Sequence, residues 1–418
     1  MTETKTHTAL EEKNTPSVRF KEFESDWRIT TLGSLFTFKN GLNSDKEKYG
    51  SGVKFINVLD IIGADVITYD SIIGKVEVTE KELEKNEVVY GDVLFQRSSE
   101  TREEVGQANV YVDKSRSAVF GGFVIRGRKK ENYDPLYMNY LLKTAPARKE
   151  ITTKSGGSTR YNVGQASLSQ VFVNLTSLPE QKKIASFLSA IDQKIQQLTK
   201  KKALLEQYKK GVMQQLFSGK LRFKDENGEE YPDWEEKRLG DVGEIVSGLT
   251  YSPDDKDDEG VLVLRSSNVH GREITFDDNV YVNVAKDKFN QVELNDILIC
   301  VRNGSKRLIG KNAMIKENTV GVAFGAFMTV YRSKYNLFLF HYFDTDRYKN
   351  EVHKNLGATI NSINGSDLKK FNIPFPSKLE QEKIATFLHN IDANIQNTTT
   401  QITQTKTFKK GLLQKMFV

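Results

Sequence analysis

The chain has 418 residues, 38% of them hydrophobic and 28% charged, with 61 Lys and Arg against 55 Asp and Glu. That balance suits a soluble protein of two or three domains, and a net charge of +6 permits a nucleic-acid partner without requiring one. A single cysteine, Cys300, excludes an intrachain disulfide and argues against a zinc cluster, and no apolar run approaches the roughly 18 residues that span a bilayer, so the expected setting is the cytoplasm, with no membrane contact.

Residues 1–17 are polar and charged and are expected to be a disordered leader rather than a signal peptide. Residues 18–178 read as a first globular domain of mixed α/β character. Runs 52–58 and 92–95 carry β-branched residues at strand density, and 134–142 looks helical, with Pro135 in its first turn. Residues 179–221 read as one long helix. Ile184, Leu188, Ile191, Ile195, Leu198, Leu205, Val212 and Leu216 follow alternating steps of four and three, with Lys202 and Lys209 filling the gaps. Pro179 fits the helix start. Residues 222–377 form a second globular domain, with strand-like runs at 260–265 and 296–299 and a helix ending near 340–343. Residues 378–418 form a second long helix, whose seam is Ile384, Leu388, Ile391, Ile395, Ile402, Leu412 and Met416. A helix of about 40 residues is about 60 Å long. Neither apolar stripe can stay in water, so the simplest partner for one helix is the other. Antiparallel pairing would make a coiled coil with a pseudo-two-fold axis and a domain at each end.

The two halves are an internal repeat. Glu180-Gln181-Lys182-Lys183-Ile184-Ala185-Ser186-Phe187-Leu188 lies over Glu380-Gln381-Glu382-Lys383-Ile384-Ala385-Thr386-Phe387-Leu388, an offset of 200 that holds without a gap to Phe217 and Phe417. The globular segments repeat more loosely. Arg19-Phe20-Lys21 recurs as Arg222-Phe223-Lys224, Asp26-Trp27 as Asp233-Trp234, and Gly91-Asp92-Val93-Leu94 as Asn295-Asp296-Ile297-Leu298. The expected fold class is therefore α/β (α+β): two similar domains of differing surface, separated by two long matching helices.

Two polar loops in each domain carry the chemistry that could read DNA. In the first domain these hold Arg97, Ser98, Ser99 and Arg102, then Ser158, Thr159, Arg160, Tyr161 and Asn162. In the second they hold Arg302, Asn303, Ser305, Lys306 and Arg307, with Lys311 just beyond, then Thr359, Asn361 and Ser362. Arginine bonds guanine bidentately, asparagine does the same to adenine, and hydroxyls and lysines suit phosphate. A solvated polar turn is the plainer account of any one loop; unlike residues at like framework positions favour two readers of two sequences. Trp27 and Trp234 are expected to be core anchors. Phe120-Gly121-Gly122-Phe123 and Phe324-Gly325-Ala326-Phe327 are expected to be buried strands with a close backbone contact rather than stacking platforms, and Asp92 and Asp296 turn residues rather than catalytic carboxylates. The sequence has no phosphate-binding G-x-x-x-x-G-K-[ST] loop, no glycine-rich dinucleotide or S-adenosylmethionine fingerprint and no metal-ligand spacing among its five histidines. No catalytic residue, metal ligand or small-molecule substrate is expected.

This alternation of a variable domain with a near-identical helix, twice over, resembles the specificity subunits of type I restriction–modification enzymes. The resemblance runs from about Arg19 to Val418 and is sharpest at 178–185 and 379–385, then at 91–98 and 295–302. The second helix lacks the proline before its Glu-Gln pair. The resemblance implies a non-catalytic host-defence subunit. Each target-recognition domain would bind one half of a split double-stranded DNA target, and the helices would set the gap and dock two methyltransferase subunits. Those partners would carry S-adenosylmethionine and methylate adenine, and a motor-nuclease subunit would use ATP and magnesium; this chain would bind no cofactor itself. The rival readings are a duplicated protein adaptor that does not touch DNA and a self-contained nuclease or methyltransferase with unrecognised motifs.

Overall fold

A computed structural model describes residues 15–356 and 361–418. The chain forms two compact units, one running to Thr199 and completed by Thr400–Val418, the other Lys200–Thr399. The expected leader lies, for residues 1–14, outside the described residues; Ser17 donates its hydroxyl to the carbonyl of Lys415.

The first unit holds a four-stranded antiparallel sheet in the order Phe36–Asn40, Val124–Lys129, Val93–Gln96, Ala108–Val110. Val93–Gln96 is buried at all four positions, which is why the run reads as continuously apolar rather than alternating. A second sheet sets Tyr49–Ile56 between Lys75–Val76 and Val119–Phe120, the latter in parallel. A third pairs Arg28–Thr31 with Phe172–Leu175. The second unit repeats all three: Glu244–Ser247, Met328–Arg332, Ile297–Cys300 and Asn312–Met314 in the large sheet; Tyr281–Val282, Lys256–Leu264 and Ala323–Phe324 in the second; Glu235–Arg238 with Asn372–Phe375 in the third. The repeat seen in sequence is thus a repeat of topology, including a register shift in Tyr49–Ile56 and again in Lys256–Leu264.

The expected helices are present at Pro135–Leu141, capped by Asp134, and at Asn336–Tyr342. Asp92 and Asp296 close turns. Each accepts a backbone N–H three residues back (Val89, 3.0 Å; Glu293, 2.7 Å) and is gripped by an arginine, Arg128 at 2.8 Å and Arg332 at 2.7 Å. Trp27 is 2% exposed and meets Tyr137 and Phe417 edge-on; Trp234 meets Phe338 and Phe217 in the same way.

The first long helix is Leu178–Phe217 and the second Lys378–Lys415. The first ends four residues short of the expected 221 because Gly219 adopts φ +73, a left-handed stop that glycine takes without a Cβ clash. Within the first unit, Ile184, Leu188 and Ile191 share a core with Met416 and Phe417, and Lys409 pairs with Asp192 at 2.5 Å. Within the second unit, Val212 and Leu216 share a core with Ile384, Leu388 and Ile391, and Lys209 pairs with Asp392 at 2.6 Å. In each unit the start of one long helix meets the end of the other, so the segments run antiparallel. Between Gln193 and Gly211 only Ile195, Leu198, Lys202, Leu205 and Lys209 escape full exposure, a heptad stripe. The corresponding stripe of the second helix holds Thr398, 2% exposed, whose hydroxyl satisfies itself on the carbonyl of Asn394.

The seam explains the apolar part of the repeat, not its Glu-Gln pair. Glu180 and Glu380 are fully buried and Gln181 and Gln381 nearly so. Glu180 takes Arg19 Nε at 2.7 Å and Nη2 at 2.8 Å, with the Thr176 hydroxyl as a third donor. Glu380 takes Arg222 Nε at 3.1 Å and Nη2 at 2.7 Å, with Trp234 Nε1 at 2.9 Å. Gln181 and Gln381 each donate to a carbonyl five residues back, of Thr176 and Pro376, at 2.7 Å. The pair therefore bolts each helix start to the chain entering its domain.

Candidate nucleic-acid interface

In each unit the central strand of the large sheet runs out into the first polar loop, and a segment from later in the chain lies beside it. In the first unit Ser98–Ser99 pairs antiparallel with Tyr161–Asn162, and Val163 donates its N–H to the carbonyl of Arg97 at 3.0 Å. This segment closes on itself through reciprocal bonds between Gly156 and Asn162, 2.9 and 2.8 Å. In the second unit Arg302 bridges to Ser362, Ile363 donates to the carbonyl of Val301 at 2.9 Å, and Asn303 N–H donates to the carbonyl of Asn361 at 3.2 Å. The two loops that sequence treated separately are thus one surface in each unit. Thr359 lies outside the described residues.

Not every candidate side chain is free for a ligand. Ser99 is buried, its hydroxyl donating to Glu104 at 3.2 Å, so it holds the loop rather than facing outward. Arg102 Nε donates to the carbonyl of Thr152, at the end of the helix Ala145–Thr153. Tyr161 is half-buried against the core. Asn303 spends its Nδ2 on the Ser266 hydroxyl (2.9 Å) and its Oδ1 on the N–H of Ser305 (3.0 Å), and Lys311 reaches the carbonyl of Ser266 at 3.2 Å. Asn361 Nδ2 donates to the carbonyl of Gly304, and Ser98 donates to Asn162 Oδ1. These contacts order the loops.

Left facing outward are Arg97, Ser158, Thr159 and Arg160 in the first unit and Arg302, Ser305, Lys306 and Arg307 in the second. Among the described residues none of these cations has a carboxylate within ion-pair distance. An exposed guanidinium held on an ordered loop with no acid beside it is able to meet a phosphate or a guanine edge. Lys306 and Arg307 sit on the 3-10 turn Lys306–Leu308.

The sequence reading missed one pair of residues. Phe120 and Phe324 are buried as expected, but Phe123 and Phe327 are 68% and 57% exposed. The second phenylalanine of each Phe-Gly-x-Phe run sits at the tip of a turn, not in a strand. The N–H groups of Arg97 and Arg302 donate to the carbonyls of Phe123 (2.9 Å) and Phe327 (3.1 Å), which puts these turns against the loops. The recurrence of the motif was the available signal.

Among the described residues no cluster of three or more His, Cys, Asp or Glu could hold a metal ion, and no helix is long and apolar enough to cross a membrane.

A duplicated α/β unit, each copy holding antiparallel segments of two long helices and a loop with exposed cations, defines a two-domain class of protein. The chain belongs to the family of the type I restriction modification DNA specificity domain, whose model matches residues 24–207 and 231–406. It is similar to a chain named for the MjaX specificity subunit of a type I restriction enzyme from Methanocaldococcus jannaschii, 27% identical over 96% of this chain and 95% of that one. It is also similar to the type I restriction enzyme MjaVIII specificity subunit of the same organism, 26% identical over 96% and 94%. Among solved structures, the type I restriction–modification S subunit from M. genitalium covers 97% of this chain and 99% of its own at a TM-score of 0.57 and 15% identity, a likeness of fold. Recognition of a DNA target within a restriction–modification system follows from the family.

Proposed function

We propose that this chain reads a bipartite DNA target, one half per unit, as the non-catalytic subunit of a type I restriction–modification complex in the cytoplasm. The observation that carries the reading is unlike side chains on like backbone. Arg97 and Val301 leave the same strand position, each donating its N–H to the carbonyl of the turn phenylalanine (Phe123, 2.9 Å; Phe327, 3.0 Å), yet the first is a cation followed by Ser98-Ser99 and the second is apolar and followed by Arg302-Asn303. A duplicated framework with different reading groups suits two different half-targets. Two weak readers on one chain gain from each other because the second contact is intramolecular. In this reading the long helices set the gap between the half-targets and recruit two adenine methyltransferase subunits. Those partners supply S-adenosylmethionine, and motor-nuclease subunits joined through them supply ATP and magnesium chemistry; this chain binds no cofactor. A protein adaptor without DNA contact is the weaker alternative, because it gives no reason for exposed arginines without an acid partner on the corresponding loop of both units.

The test is an exchange of residues 20–178 for the corresponding domain of another family member. Methylation mapping should show one half of the target changed and the other half and the gap kept. A change in both halves rules out independent reading.

A further inference from the structure

Building on the DNA-reading function, we infer that Phe123 and Phe327 are the apolar base contacts of the two readers, each ring packing against base edges beside an arginine.

Four observations carry this. First, the rings are 68% and 57% exposed although each motif opens on a fully buried phenylalanine, Phe120 and Phe324 at 0%. An exposed phenylalanine in one unit is unremarked surface; the same exposure at the same framework position in two units with diverged surfaces calls for a shared role. Second, the rings are displayed on rigid turns. Gly121 accepts from Val124 N–H at 2.9 Å and Gly325 from Met328 N–H at 2.8 Å, placing each phenylalanine one residue before the turn closes. A neighbouring chain locks the turn from below: a Cβ on Gly41 would stand 2.2 Å from the carbonyl oxygen of Gly121, and one on Gly248 2.3 Å from that of Gly325, so only glycine permits this approach. A ring held on such a turn loses little freedom when it meets a ligand. Third, each turn is tied to the reading loop: Arg97 and Arg302 donate backbone N–H to the phenylalanine carbonyls, Arg97 Nη1 reaches the carbonyl of Gly122 at 3.3 Å, and the Arg302 guanidinium lies 5.6 Å from the Phe327 ring centroid. Fourth, the chemistry is complementary. Arginine recognises guanine or phosphate, and phenylalanine packs on a thymine methyl or wedges at a base step. An aromatic ring next to an unpaired guanidinium fits a nucleic acid, which offers anionic and apolar surface together, better than a protein face.

The experiment uses this chain co-expressed with its methyltransferase partner, and a labelled duplex carrying the target found by methylation mapping. Phe123→Ala is expected to weaken binding to that duplex about five- to 150-fold, the cost of one lost base-pair contact. A scrambled duplex of the same composition should bind within about twofold of wild type, since phosphate contacts carry that affinity. Base preference should flatten in one half of the target only, and Phe327→Ala should do the same in the other half. Phe123→Leu should fall between. Melting temperatures of the variants report whether they fold. Target affinity equal to wild type, equal losses on target and scrambled duplexes, or dissociation of the methyltransferase would each overturn the inference. A wild-type complex with no sequence preference would overturn the DNA-reading function as well, which separates the two failures.

Discussion

Breaking the buried ion pair at the start of the first long helix should cost more stability than removing both of its partners. Glu180 is completely buried, and its two oxygens are met by Arg19 at 2.7 and 2.8 Å and by the Thr176 hydroxyl. Arg19→Met leaves a buried carboxylate with one neutral donor. Losing one partner of a buried pair costs about 3–5 kcal/mol, whereas replacing both by apolar groups of similar size is often near neutral. For a unit of this size each kcal/mol moves the midpoint by about 2–4 °C, so Arg19→Met should lower the melting temperature of the first unit by about 6–20 °C. Arg19→Met combined with Glu180→Met should recover most of that. The equivalent Arg222→Met should cost a similar amount, because it too leaves a buried carboxylate with one neutral donor, Trp234 Nε1 at 2.9 Å. Calorimetry gives the transitions, and hydrogen exchange assigns them to units. A double variant as unstable as Arg19→Met, or a single variant within 1 °C of wild type, would refute the reasoning.

Acid should weaken the second unit through His341. This ring is 3% exposed, and burial together with Lys209 and Arg272 holds its pKa well below 6.5, although Asp392 stands 3.8 Å away and His389 and the Ala385 backbone also face it. The folded form is therefore neutral while the unfolded chain takes up a proton near pH 6.5. Stability is full above that pH and is lost as pH falls below it, by at most about 1.4 kcal/mol per pH unit. His341→Tyr copies Tyr140, which bonds Asp192 at 2.7 Å in the first unit; urea midpoints at pH 7.5 and 5.5 should differ less in the variant, and an unchanged difference contradicts the assignment. Arg97→Ala and Arg302→Ala should each cost about 1–3 kcal/mol of specific binding and relax one half of the target, read by competition binding; a loss spread over both halves contradicts the placement. Inserting four residues near Lys200, Lys201 and Lys202 adds about 6 Å of helix against about 3.4 Å per base pair, so mapped methylation sites should gain one or two base pairs of gap; an unchanged gap means the helices do not measure it.

The long helices were legible because a four-three repeat of Ile and Leu has no other stable home than a seam, and a gapless offset of 200 marks two helices kept to one length. The polar half of the helix motif was not legible as a contact. The partners of Glu180 and Glu380 are Arg19 and Arg222, some 160 residues away, and only the fold brings them together. Within the candidate interface, the two loops chosen from sequence lie side by side in each unit, but fewer of their side chains are free than residue type suggests. Ser99, Asn303 and Lys311 have the chemistry of readers but are used to order their own loops, a distinction set by burial and partners rather than residue type. Phe123 and Phe327 were misplaced for the converse reason. A phenylalanine among small apolar residues reads as core, and only the turn geometry turns its ring outward.

The most direct measurement is a methylation map of a host carrying this chain and the methyltransferase proposed to partner it, compared with the same host lacking this chain. The account predicts chain-dependent adenine methylation at a motif of two specified blocks separated by a fixed unspecified gap. A motif that is one continuous block, or a methylation pattern that does not change when the chain is removed, would contradict it.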